Sequence, residues 1–135
     1  MSRSIKFRAW NTKDKKMSYR AEHSYDCGAY YDVDICVSCF GEILDDDEYI
    51  VEQYTGLTDK NGKEIYEGDI VKARWYRAKN ARLDTQGEVK FADGWFYIKD
   101  DPDGQDRIGV PIHNCYDIKI IGNIHEKPEL AGETK

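Results

Sequence analysis

Residues 54–71 read YTGLTDKNGKEIYEGDIV and carry the strongest structural signal in the chain. Three glycines, Gly56, Gly62 and Gly68, stand six residues apart, and each follows a short segment of strand-like composition. Glycine adopts a positive φ at no steric cost, so it marks points where a chain can reverse. The block therefore predicts a turn at Gly56, a hairpin at Asn61-Gly62, a turn at Gly68 and the start of a strand.

The hairpin loop could form in two registers. A type I turn followed by Gly62 in the left-handed region gives a three-residue loop with a bulge, and sets Asp59 opposite Lys63. A two-residue loop of Asn61 and Gly62 would instead set Asp59 opposite Glu64. Because opposite charges attract across paired strands and like charges repel, we expect the bulged loop.

Alternating apolar and polar residues predict strands along the rest of the chain. After Gly68 the inward side chains are Val71, Ala73 and Trp75, and the outward ones are Lys72, Arg74 and Tyr76. Similar alternation predicts strands near residues 5–10, 17–19, 33–37, 88–91, 95–99 and 118–124. Residues 92–94, between two of these strands, are predicted to form a hairpin. In the first of these, Lys6, Arg8 and Trp10 would form the exposed face.

The strands total seven or eight, at the spacing of a barrel or sandwich. No stretch has a sustained helical period, and residues 77–83 could form at most two marginal helical turns. A chain of 135 residues is the size of one ordinary domain, so we expect a single domain over residues 1–135. We expect a frayed C-terminal tail from about residue 129.

Net charge is −6, distributed in blocks of opposite sign. Residues 1–20 hold seven basic and one acidic side chain, whereas residues 21–71 hold two basic and fourteen acidic ones. Residues 72–82 hold five basic side chains and no acidic one. No apolar run could span a bilayer and the basic N-terminus lacks the apolar segment of a secretory signal, so we expect a cytosolic protein without a membrane partner.

Three segments resemble the YopX family, small proteins carried by bacteriophages and prophages. They are IKFRAW followed by NTKDKKM from residue 5, QYTGLTDKNGKEIYEGDIV from residue 53, and IIGNIHEKPEL over residues 120–130. The segments cover both ends and the middle of the chain, in the family's order. The resemblance implies a mostly-β fold, an irregular, partly closed β-barrel of short antiparallel strands with little helix. It implies a location in the bacterial cytosol, and no established activity or catalytic residues.

Cysteines and histidines raise a zinc or thiol hypothesis. Cys36 and Cys39 have the spacing of a zinc knuckle, but an odd separation in a strand puts their side chains on opposite faces. His113 and Cys115 lie on one side of an extended chain, the only local hint of a nucleophile beside a base. We expect thiols in a reducing compartment, with no metal and no cofactor.

A basic segment with aromatic residues is the best candidate for a binding surface. Cations that follow phosphates beside an aromatic stacking surface are how small barrels hold single-stranded nucleic acid. In the alternative interpretation these side chains form a solvated face. The candidate residues are Lys72, Arg74, Tyr76, Arg77, Lys79 and Arg82, extended by Lys6 and Arg8 if the two strands are neighbours.

The sequence thus favours a non-catalytic interaction module over an enzyme. The expected partner is an unknown protein, and self-association is possible because the charge pattern offers complementary surfaces. The second hypothesis is a nucleic-acid-binding β-barrel that uses residues 72–82, and the third is a zinc-binding or thiol protein.

Overall fold

A computed structural model describes residues 4–26, 40–78, 81–99 and 109–131. The described chain is mostly β and antiparallel, as predicted, and contains one short helix, α1, over Phe40–Asp45. The described residues contain nine strands. The strands are β1 Phe7–Asn11, β2 Lys16–Tyr19, β3 Tyr49–Thr58, β4 Glu64–Tyr66, β5 Asp69–Ala78, β6 Ala81–Ala92, β7 Trp95–Lys99, β8 Val110–Pro111 and β9 Cys115–Asn123.

The strands form two sheets, with the orders β2-β1-β3-β4 and β8-β7-β6-β5-β9. One sheet is curled into a half-barrel. By contact density the chain divides into two compact units, residues 1–56 and 57–135, and β3 crosses from one to the other. A single domain stays a prediction, since compact units of one chain can still fold together.

The first unit has a small core between β1 and its neighbours. Ala21, Ala9 of β1 and Ile43 of α1 are fully buried. The ring centres of Phe7 and Phe40 are 4.9 Å apart. Strand β1 is hydrogen-bonded on both sides, to β2 and to β3. It is therefore an interior strand of its sheet. Both of its faces are covered as well, because Arg8, Ala9, Trp10 and Asn11 are all buried.

The second unit is built around a larger core on the inner side of its five-stranded sheet. The alternation predicted for β5 is confirmed over residues 71–74, because Val71 and Ala73 are buried and Lys72 and Arg74 are exposed. Trp75 is half-buried. The core residues are Ile65, Val71, Ala73, Val89, Ile98, Ile112 and Ile118.

The bulged hairpin is confirmed. The Gly62 amide donates to the Asp59 carbonyl at 2.9 Å, and the Asp59 amide donates to the Lys63 carbonyl at 2.7 Å. Gly62 has φ 85° and Gly68, in the turn between β4 and β5, has φ 84°. The turn predicted at Gly56 is wrong, since Gly56 lies inside β3 with φ 91°. Glycine can take this conformation within a strand as a local bend, so a positive φ does not require a chain reversal.

The helical turns considered for residues 77–83 are absent from the described part of that segment. Residues 77–78 and 81–83 form the ends of β5 and β6, and Tyr76 pairs with Arg82 in the ladder. Ladder hydrogen bonds between strands outweigh the weak helical tendency of so short a segment. The predicted hairpin at residues 92–94 is confirmed, with Asp93 and Gly94 both at positive φ. The strand predicted at residues 33–37 lies outside the described residues.

The start of the C-terminal tail contacts β6. Residues Pro128–Ala131 form a 3-10 turn, and the Leu130 carbonyl accepts a hydrogen bond from Gln86 Nε2 at 3.0 Å. Fraying of the tail from about residue 129 stays a prediction. A contact with β6, a segment distant along the chain, cannot be detected from the local composition of the tail.

Candidate functional site

A cleft of about 410 Å³ opens on the polar side of β6, β5 and β9 in the second unit. Strand β5 runs between its two neighbours, and the β3–β4 hairpin reaches the same cleft. Six of the lining residues are charged: Lys60, Lys72, Arg74, Asp84, Asp117 and Lys119. Four cations and two carboxylates therefore share one open surface.

Strand register brings the cleft side chains together. Lys72 on β5 lies directly opposite Gln86 on β6 and Lys119 on β9. Directly opposite residues share a face and have closely spaced Cβ atoms. The ladder therefore puts two like charges, Lys72 and Lys119, side by side, an arrangement that destabilises a sheet.

Arg74 lies between two carboxylates. Its Nε is 3.7 Å from Asp84 Oδ1, and its Nη1 is 3.6 Å from Asp117 Oδ2. Asp117 has φ 52°, at a point where the β5–β9 register shifts between Lys72 and Arg74. Aspartate is among the few non-glycine residues that tolerate this conformation. The irregular pairing of β5 with β9 thus brings Asp117 to the Arg74 guanidinium as a second carboxylate partner.

The β3–β4 hairpin is bound to β9 by Asp59 and Lys60. The Lys60 amide donates to the Ile118 carbonyl at 2.8 Å, and Asp59 Oδ2 accepts the Ile120 amide at 3.2 Å. Asp59 Oδ1 accepts the amides of Asn61 and Lys63, each at 2.9 Å. These bonds hold the backbone of Lys60 against β9 and so position its side chain at the cleft.

Hydrogen bonds also lower the pKa of the Asp59 carboxyl group. Burial by itself acts to raise the pKa of this carboxyl group. The amides of Lys63, Ile120 and Asn61, together with the Lys63 charge, outweigh it and hold the pKa below the ordinary 3.8. The carboxylate is therefore charged near neutral pH, in the form that the three amides favour.

Only two residues of the predicted basic segment are described as lining the cleft. Lys72 and Arg74 line the cleft, as their outward alternation predicts. Tyr76 and Arg77 are placed in β5 and Arg82 in β6, without description of their side chains, and Lys79 lies outside the described residues. Sequence analysis missed Lys60 and Lys119, because each belongs to a distant segment and only strand pairing brings them to Lys72.

The predicted extension of this surface by Arg8 is wrong. The Arg8 side chain is 2% exposed, and its Nε donates to Glu52 Oε1 at 2.8 Å. Arg8 is opposite Glu52 across β1 and β3, so a buried ion pair takes the place of a solvated face. Trp10, predicted on the same exposed face, is 7% exposed. Lys6 is half-buried, with Nζ 5.4 Å from the centre of the Tyr54 ring.

The predicted extension required β1 and β5 to be neighbouring strands. They belong to different sheets and are not paired by hydrogen bonds. Lys6 and Lys72 therefore do not share a hydrogen-bonded ladder, and the extension of the surface by Lys6 stays a prediction. Alternation alone suggested an exposed face for β1, but it does not reveal that a strand has a covered second face.

The zinc and thiol candidates fare differently. Cys36 and Cys39 lie outside the described residues. Ile112–Asn114 form a 3-10 turn, so the extended geometry predicted for His113 and Cys115 is wrong. Cys115 Sγ donates to the Pro111 carbonyl at 3.6 Å, and burial raises the pKa of this thiol to about 11. Over the described ranges, no group of three or more His, Cys, Asp or Glu side chains could hold a metal ion.

Comparison with known proteins gives a family and a structural relative. The profile of the family described as YopX protein matches residues 6–131. The crystal structure of protein EF1440 from Enterococcus faecalis is similar, with a TM-score of 0.58 and 30% sequence identity. That match covers 97% of this chain and 100% of the other. No curated protein matches. In the described part of the chain, no helix has the length and apolar character needed to cross a membrane. The family match spans nearly the whole sequence, and the chain therefore belongs to the YopX family.

Proposed function

We propose that this protein is a non-catalytic binding module of phage or prophage type. In this proposal it acts in the bacterial cytosol and holds an anionic partner in the cleft. The observation that carries the proposal is the convergence of Lys60, Lys72, Arg74 and Lys119 from three separate segments. With Asp84 and Asp117, the cleft keeps a net charge of plus two, in a chain whose net charge is −6.

A positive cleft on an acidic protein favours specific over non-specific binding. The negative remainder repels anions, whereas the cleft attracts them, so an anionic partner is steered towards one orientation. Surface lysines scattered evenly would give no such preference. The local excess of cations therefore supports recognition of an anion at this face.

A binding role without bond-making chemistry is supported by the state of the reactive groups. Asp84 and Asp117 both face Arg74, so neither is poised as an isolated base. Cys115 is a thiol near neutral pH, because its pKa is raised to about 11, and a thiol is a poor nucleophile.

Charge reversal in the cleft tests the proposal. The double variant Lys72→Glu and Lys119→Glu changes two exposed cleft positions, and Lys13→Glu with Lys127→Glu makes the same charge change at exposed positions outside it. Binding of labelled polyglutamate and of a labelled oligonucleotide is measured by fluorescence polarisation at low salt. We expect at least one polyanion to bind, with binding lost in the cleft variant and retained in the control variant.

The proposal fails if neither polyanion binds the wild-type protein, or if both double variants lose binding equally. Sedimentation velocity of the same proteins tests the predicted self-association. Association of the wild-type chain that disappears only in the cleft variant would show that a second copy of this chain binds at the cleft in addition to the polyanion.

A further inference from the structure

We infer that the cleft binds the phosphate groups of a single-stranded nucleic acid, through Lys60, Lys72 and Lys119 rather than through Arg74. This inference rests on the proposed function and names the ligand of the same cleft. It depends on three features of the described residues: the state of the three lysines, the state of the arginine, and the shape of the surface.

The three lysines are available for a ligand. All three are exposed, and within the described residues none of their ammonium groups forms an ion pair with a carboxylate. Lys72 and Lys119 are directly opposite each other, so their like charges repel. An anion between them converts that repulsion into two attractions. Lys60 adds a third ammonium group from a backbone that β9 holds in place.

The donor set fits phosphate better than carboxylate. An ammonium group is a compact charge with three donors, so each lysine can bind the oxygens of one phosphate in a chain of phosphates. Arginine pairs through two parallel hydrogen bonds with carboxylates and with phosphates, whereas lysine commonly binds phosphate as a point charge. Arg74 already faces Asp84 and Asp117, so an acidic peptide would have to displace these carboxylates. The cleft therefore favours phosphate over an acidic protein segment.

The shape favours a chain of phosphates. The cleft is open and spans β6, β5 and β9. Lys72 and Lys119 lie side by side on β5 and β9, and Lys60 follows from the hairpin that is bound to β9. Open sheet surfaces with a line of cations accommodate single strands, whose backbone can follow the sheet. A rigid duplex cannot adapt its phosphate positions in this way.

Fluorescence polarisation with matched ligands tests the inference. The probes are a labelled single strand of about 12 thymidines, a duplex of equal length, polyglutamate of equal charge, and thymidine monophosphate as competitor. If three lysines each contact one phosphate, the logarithmic salt slope is about −2, which is a loss of roughly 20-fold between about 50 and 200 mM salt. Lys119→Gln should reduce this slope by about 0.7. Lys127→Gln, outside the cleft, should leave it unchanged.

The outcomes separate this inference from the proposed function. Stronger binding of polyglutamate through the cleft would overturn phosphate recognition and leave the binding module standing. Equal binding of the duplex, or full competition by the monophosphate at oligonucleotide concentrations, would overturn the single-strand assignment. Absence of binding by every probe would overturn both. Shifts of the Lys119 and Lys60 amide resonances on adding the oligonucleotide give a second measurement that needs no variant.

Discussion

Replacement of Asp59 by asparagine should show how much one carboxylate contributes to the second unit. Asp59 is 6% exposed and accepts three backbone amides, from Asn61, Lys63 and Ile120. The introduced asparagine would retain an oxygen for the two hairpin amides. Its side-chain NH₂ group would replace Oδ2 and set a donor against the Ile120 N–H group. The variant therefore breaks the bond between hairpin and β9 while preserving side-chain volume.

The magnitude follows from the number and type of these bonds. Loss of a hydrogen bond to a charged, buried acceptor costs about 1.5–3 kcal/mol, and the two remaining bonds are weakened because the acceptor is no longer charged. We expect Asp59→Asn to lower the free energy of unfolding by about 2–4 kcal/mol near neutral pH.

The effect should depend on pH in one direction. The pKa of Asp59 is lower in the folded protein than its ordinary 3.8, because the amides favour the carboxylate. Its contribution is therefore fully present above the unfolded pKa and is lost as the pH falls through the folded pKa. Acidification below about 3.8 should shrink the difference between wild type and Asp59→Asn.

Urea unfolding followed by tryptophan fluorescence, over a series of pH values, measures this difference. Asp47→Asn is the control, since Asp47 is exposed in the turn after α1. The reasoning is refuted if Asp59→Asn unfolds within about 0.5 kcal/mol of wild type near neutral pH. It is also refuted if the difference does not change with acid.

Three further predictions concern packing, cross-strand charge and the thiol. A Cβ at Gly87 would collide with the Lys99 carbonyl oxygen of β7. Gly87→Ala should therefore lower the free energy of unfolding by about 2 kcal/mol or more and lower the thermal midpoint. Gly41→Ala should not destabilise the protein, because the space around Gly41 is open. Lys119→Glu should raise the free energy of unfolding by about 0.2–1 kcal/mol at low salt by pairing with Lys72, and added salt should reduce the gain. Alkylation of Cys115 near neutral pH, followed by mass spectrometry, should be slower than that of the unfolded chain and should accelerate towards pH 11; equal rates in both states would contradict the effect of burial.

Local chemistry accounts for the parts of the fold that were predicted well. The Asp59 hairpin and the Asp93-Gly94 turn follow from residues that are neighbours in the chain, since positive φ and short-range hydrogen bonds depend on few atoms. Alternation likewise placed Val71 inward and Lys72 outward. Gly56 shows the limit, because the same backbone preference serves a turn or a bend within a strand.

Strand pairing accounts for what was missed. Arg8 was predicted to be exposed, but Glu52, forty-four residues away, is its partner across β3. Gly87 belongs to no recognisable motif. Glycine is required there because a Cβ atom would collide with the backbone of β7. The candidate site was half predicted, as Lys72 and Arg74 follow from alternation, whereas Lys60 and Lys119 reach them only through β9.

The linear chain of this YopX-family protein specified the reversals at Gly62 and Gly68 and the outward side of β5, because each depends on the conformational preferences of adjacent residues. Only the three-dimensional arrangement settled which strands are neighbours, and with them the burial of Arg8, the clamp on Arg74 and the meeting of Lys60, Lys72 and Lys119. Register is selected by the total of packed side chains and ladder hydrogen bonds over distant segments, a sum that no short stretch contains.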